Sequence, residues 1–339
     1  MPVETSSSAV PTPGDAHQRP LIGILFKIAS AFAFSCMGAT VKVVGSITPA
    51  DASFPVGQIV FSRSFFALLP VFIWMGVVGK LSSAFQTNNH KGHLKRGLIG
   101  SLGMFFGFSA LVLLPLTDAT AISFTSPLIS VVLAAFVLGE VVRLYRWSAV
   151  LIGFCGVIIM LWPYISADAI SRQPDTKLAL GALFGFIGAT CAAFAMIEVR
   201  RLTSTESTSA IVIYFSLMTT TFGMLTVVGG AIDPDWAWRT PSFKQGFFLV
   251  LVGVMGGFGQ IFLTESYRRA PASTVAPFDY TGMIFAVGWG YFLFGEWPHQ
   301  LVMIGASIVC AAGIYVILRE RQLGIDRKRQ SEASPSRSI

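Results

Sequence analysis

Apolar residues in this chain run in blocks of about 20, separated by short polar loops. That is the length of helix needed to cross a hydrocarbon core of about 30 Å. Within lipid such a block must be helical, because every backbone N–H and C=O needs a partner in its own segment. Ten spans are predicted near residues 21–43, 56–78, 96–115, 119–138, 147–165, 178–198, 208–230, 246–266, 273–294 and 299–318. Charged residues make up only 12% of the chain, against about 25% in soluble domains. A water-facing surface cannot be built from so few, so the chain is predicted to be an all-α polytopic membrane protein with the lipid bilayer as its solvent.

The net charge of +7 does not point to nucleic acid. The basic residues sit in short loops beside apolar blocks rather than in one stripe interleaved with aromatics, so no nucleic-acid partner is expected. With the N-terminus inside, the cytoplasmic segments and span edges hold 17 Lys and Arg, Arg96 among them; the outer loops hold four, Arg172, Lys177, Arg239 and Lys244. The positive-inside rule then places both termini in the cytoplasm. Residues 1–20 are polar, and no small-residue cleavage site follows the first apolar block, which is expected to be retained as a span. Residues 166–177 read as an external linker and residues 319–339 as a basic, disordered tail. Cys36, Cys155, Cys191 and Cys310 all fall inside spans without a CxxC pair and read as core thiols.

The chain also repeats itself. Gly23, Phe26 and Lys42 meet Gly181, Phe184 and Arg200 at an offset of 158. Pro115, Phe124, Thr125, Gly139 and Glu140 meet Pro271, Tyr280, Thr281, Gly295 and Glu296 at 156, and Gly156 meets Gly313 at 157. The halves are 21–165 and 178–318. Five spans in each is an odd number, so the second half enters the membrane from the opposite side, with Glu140 cytoplasmic and Glu296 external. Ten helices in two inverted five-helix repeats are a recurring architecture of secondary transporters, which hold substrate between the halves.

Two stretches then resemble a known pattern: Pro115 through Pro127 (PLTDATAISFTSP), closing at Gly139-Glu140 and Gly156, and Ala270 through Tyr280 (APASTVAPFDY), closing at Gly295-Glu296 and Gly313. Together with Arg63-Ser-Phe-Phe-Ala in span 2, they are similar to the EamA-type repeat of the drug/metabolite transporter superfamily. The resemblance covers about residues 20–320 and implies ten spans around a central cavity. Similar members include bacterial riboflavin importers, S-adenosylmethionine importers and amino-acid exporters, so it implies a small-molecule substrate and a bacterial inner-membrane location. The motif itself is scaffold: each Gly-Glu sits where a helix stops, glycine permitting the turn and the carboxylate finding a local partner, for Glu140 either Arg143 or Arg146.

Ionisable groups within spans are expensive and stand as candidates for function. Arg63 lies on the order of 10 Å into span 2, where it can bind an anionic or carbonyl-bearing group or tie helix ends together. Asp279 follows Pro277 and precedes Tyr280, in the segment matching Ser123, Phe124 and Thr125, and exists in one half only; substrate contact, proton coupling and packing all fit it. Glu198 and Glu265 precede Arg200-Arg201 and Arg268-Arg269 at spacings that permit helical ion pairs. The 29 Phe, with Tyr214, Tyr267, Tyr280, Trp289 and Tyr291, offer flat surfaces to a ring-bearing cargo or simply pack. Gly100, Gly103 and Gly107, and again Gly253, Gly256 and Gly257, read as close-packing helix surfaces.

His90 and His93 form an HxxH with no cysteine or carboxylate nearby in sequence, so no metal is expected. No phosphate-binding Gly loop, GxSxG or HExxH occurs, so no cofactor is expected either. No intramembrane His can activate a serine as an enzyme would need, and the two halves lack the repeated polar ring of a channel. A carrier remains, with riboflavin uptake ranked ahead of S-adenosylmethionine and amino acids.

Overall fold

The computed structural model describes residues 20–48, 54–78, 85–138, 144–165, 176–270 and 275–333. The described residues are helices, 3-10 turns and loops, with no strand among them. In chain order they are α1 (Pro20–Ser46), α2 (Val56–Phe66), α3 (Leu68–Val78), α4 (His90–Leu113), α5 (Leu116–Ser123), α6 (Thr125–Leu138), α7 (Leu144–Ile165), α8 (Thr176–Thr203) and α9 (Thr208–Leu225). There follow 3-10 turns at Thr226–Ala231 and Pro234–Trp236, then α10 (Phe243–Arg269), a 3-10 turn at Ala276–Tyr280, α11 (Thr281–Phe294) and α12 (Gln300–Ala333).

Among the described residues six stretches are long and apolar enough to cross a membrane: Leu21–Ser46, Val56–Val77, His90–Leu113, Thr176–Thr203, Thr208–Ala231 and Phe243–Arg269. The other predicted spans appear as shorter apolar helices, Trp147–Pro163 and Gln300–Val316, or as broken pairs, α5 with α6 and the Ala276–Tyr280 turn with α11. The outer surface is oily: Val77, Leu151, Ile284 and Phe292 are each two-thirds or more exposed, which suits lipid and not water.

Helix starts are written in the sequence. Asn89 accepts from Gly92 N–H at 3.0 Å to cap α4, and Ser207 accepts from Ala210 N–H at 3.1 Å to cap α9. Ser242 and Gln245 form a reciprocal capping box at α10. Within the helices, hydroxyls turn back onto their own backbone, Ser101 to Gly97 O and Thr264 to Gln260 O.

The internal repeat reappears in the packing. α1 lies along α10 and α8 along α4, which the repeat exchanges; α2 meets α9 and α7 meets α12, which it maps onto each other. The helix breaks obey it too: α5 gives way to α6 at Phe124, and the turn before α11 ends at Tyr280, 156 residues later. Those two rings pack 5.5 Å apart at the junction of the halves. Likewise α2 ends at Ala67 and α9 at Thr226. Helices broken at matching points of two halves mark where a transporter holds its cargo.

Candidate functional site

A cavity lies between the halves, with α1, α4 and α5 of the first and α8 and α10 of the second in its walls. It has two lobes of about 330 and 360 Å³ that share Phe34, Met37, Leu111, Thr120, Ser123 and Met196. The volume suits one small metabolite.

The first lobe ends on Arg63 and Arg96. Both are buried, at 2% and 7% exposure. Their guanidinium carbons sit 5.5 and 3.9 Å from the centroid of the Phe215 ring, a cation–π arrangement. Arg63 Nη2 donates to Gly256 O at a long 3.4 Å, while Arg63 Nε and Nη1 and Arg96 Nε have no hydrogen-bond partner. Glycine makes this possible: a Cβ on Gly256 would lie 2.8 Å from Arg63 Nε, and Gly100 leaves the room that Arg96 Nη1 occupies.

Arg96, counted above among the cytoplasmic charges at a span edge, therefore stands in the cavity wall. The signal for it was present, because Arg96 begins the face that continues through Gly100, Gly103 and Gly107. That face, read above as packing, lines the cavity. Gly103 does pack, on Cys191, but a Cβ on Gly107 would meet nothing within 4 Å.

The second lobe reaches Asp279, which is a third exposed. Its Oδ1 lies 2.7 Å from Nζ of Lys27, a side chain with 1% exposure. Lys27 also donates to Tyr267 OH at 3.0 Å and sits 4.5 Å over that ring. At the other end of α1, Lys42 pairs with Glu296 at 2.6 Å and donates to Leu114 O at 3.0 Å, while Glu296 Oε2 accepts from Leu116 N–H at 3.1 Å. The expectation of a local partner for this carboxylate is corrected: Gly295 turns with φ of +63°, and Glu296 then reaches across to the first half. Pro115, extended before α5, sets up the free Leu116 N–H that it caps. Gly139, Glu140, Arg143 and Pro271 lie outside the described residues, as does the side chain of Arg146.

Of the remaining candidates, Ser123 lines both lobes, its hydroxyl donating to Thr120 O at 2.6 Å. Thr125 is buried and bonds Ile122 O at 2.9 Å. Tyr280 is not among the cavity-lining residues; it is buried against Phe124 with its hydroxyl against Gly313. Trp289 packs 6.2 Å from Phe32, with its indole N–H unpartnered. Glu198 pairs with Arg201 at 3.0 Å and Glu265 pairs with Arg269, each within its own helix. His93 does have a carboxylate neighbour, Glu206, 3.7 Å away and brought from the α8–α9 loop. Tyr214 packs against the same imidazole, ring centroids 4.6 Å apart and tilted by 31°.

The chain is similar to several characterised transporters along nearly its whole length. It is 27% identical to the pseudopaline exporter of Pseudomonas aeruginosa over 86% of this chain and 94% of that one. It is 28% identical to the S-adenosylmethionine uptake transporter of Rickettsia felis over 94% and 99%, and 28% identical to the riboflavin transporter of Vibrio cholerae over 88% and 93%. A solved crystal structure, 20% identical, has the same fold, with a TM-score of 0.60 over 89% of this chain and 98% of that one. The EamA-like transporter family matches twice, at residues 21–162 and 179–319. Two family repeats across a helical membrane bundle, with a cavity walled by both, make this chain a member of the EamA-like transporter family and a transporter rather than an enzyme.

Proposed function

We propose that the chain is a secondary carrier that moves one small metabolite across a bacterial cytoplasmic membrane by alternating access. In this reading the broken pairs and shorter helices complete ten spans. The halves 21–165 and 178–318 have inverted topology, and both termini face the cytoplasm. The observation that carries it is the cavity bounded by both halves beside helix breaks that recur 156 residues apart. Halves that rock about a fixed midplane site would expose that cavity to each side in turn.

Riboflavin uptake is the cargo to test first, because Phe34, Phe108 and Phe215 offer flat walls and a relative carries that name. S-adenosylmethionine uptake and export of an amino acid or related metabolite are the alternatives within the family. Proteoliposomes containing the purified chain and labelled riboflavin or S-adenosylmethionine provide the test. Saturable uptake with counterflow, lost in Arg63→Ala and Asp279→Ala, supports a carrier of the labelled compound. Flux linear in concentration without counterflow would favour a channel.

A further inference from the structure

We propose that Arg63 and Arg96, both beside Phe215, form an oxyanion site, so that the cargo presents a carboxylate or phosphate group to this end of the cavity. The inference rests on the carrier reading and narrows it to a class of substrate.

Charge balance carries the argument. Lys27 and Lys42, the other cations set along α1, each hold a carboxylate at 2.7 and 2.6 Å. Arg201 and Arg269 hold Glu198 and Glu265. Among the described residues no carboxylate pairs with Arg63 or Arg96. Both are more than nine-tenths buried and line the same lobe. Two guanidinium ions removed from water without a counter-ion are costly, and one aromatic face offsets little of that cost. A bound oxyanion would supply what is missing.

The donor geometry agrees. A guanidinium carries five N–H donors in a planar fork that matches a carboxylate or phosphate. Three of the fork nitrogens here are buried without a partner. The two arginines come from different helices, α2 and α4, yet lie near the same ring and line the same lobe, so both can reach one group. The repeat does not duplicate them: at offsets of 158 and 157 their counterparts in the second half are Thr221 and Gly253. Farther along the cavity, the hydroxyls of Thr120 and Ser123 donate to backbone carbonyls, which leaves their lone pairs to accept from the rest of the cargo.

Riboflavin has no oxyanion and falls outside this class, so the inference reverses the order of cargoes given above, and saturable riboflavin counterflow would count against the site. S-adenosylmethionine and the amino acids each carry a carboxylate and fall within it.

The test is the thermal unfolding midpoint of the purified full chain in detergent, titrated with succinate and with inorganic phosphate at ionic strength held constant with chloride. A saturable rise of about 2 °C or more over chloride is expected with at least one anion. Phosphate alone would mark a tetrahedral site, succinate alone a carboxylate site. Arg63→Gln and Arg96→Gln should each abolish the response, and the Lys replacements should keep part of it. Should a Gln variant fail to fold, the graded response of the Lys variants replaces it. A wild-type midpoint identical in all three salts overturns the proposal, as does an undiminished response in the Arg63→Gln/Arg96→Gln double variant. Anion stabilisation without counterflow would keep the site and drop the carrier; counterflow without anion stabilisation would do the reverse.

Discussion

Replacing Asp279 with alanine strands an ammonium that has 1% exposure. Lys27 keeps only the Tyr267 hydroxyl at 3.0 Å and the face of its ring. Breaking a buried ion pair from one side costs on the order of 3–5 kcal/mol. A lysine can escape by shedding its proton, which from an ordinary value near 10.4 costs about 4 kcal/mol at pH 7.4 and so caps the loss. We therefore expect Asp279→Ala to destabilise by about 3 kcal/mol, roughly a factor of 150 in the folding equilibrium. Lys27→Met should cost about 1 kcal/mol or less, because the carboxylate it leaves is a third exposed on the cavity and stays hydrated, as for pairs nearer the surface. The double variant should lie near Lys27→Met. Unfolding in mixed detergent and dodecyl sulfate micelles, followed by far-UV circular dichroism, measures all three. Equal losses in the two single variants, or a larger loss for Lys27→Met, would refute the reasoning.

Glu296→Gln removes the charge that holds Lys42 while leaving an amide oxygen for Leu116 N–H; we expect a loss of about 1 kcal/mol, measurable in the same micelles, since both partners are partly exposed. Gly156→Ala would set a Cβ 2.8 Å from Gly305 O and 3.0 Å from Ile308 Cβ. Backbone cannot yield there, so α7 and α12 must part at a cost of about 1–3 kcal/mol, read as a lower midpoint. Fusions at the C-terminus test the topology: a cytoplasmic tail makes green fluorescent protein fluoresce and leaves alkaline phosphatase inactive, and the opposite pattern would reverse the orientation.

The bundle was legible because its determinants are local. Apolar blocks of span length give the helices, and Phe124 opposite Tyr280 gives both the repeat and the points where helices break. The cavity lining was legible only where a charge interrupts an apolar run, as at Arg63 and Asp279. Arg96 escaped because a cation at a span edge looks like a topology signal until the helix is seen to continue from His90, which places Arg96 within the bundle. Glu296 reaches Lys42 and Leu116, and Glu206 reaches His93, through contacts more than a hundred residues long, and helical spacing carries no information about those. The missing rule was neutrality: each cation set into a membrane bundle should be matched with a carboxylate elsewhere in the chain. Applied to Lys27, it would have led to a search among the few carboxylates in the spans, Asp279 included.

Gly107 carries a practical consequence. It faces the cavity, and a Cβ there would meet nothing within 4 Å, unlike one on Gly103, 3.1 Å from Cys191 Cβ, or on Gly188, 2.9 Å from the backbone of Gly107. Alanine, valine and leucine at position 107 are expected to shorten the room for cargo step by step, the alanine without a clash. The step at which transport stops would measure how far the transported molecule extends from the arginines.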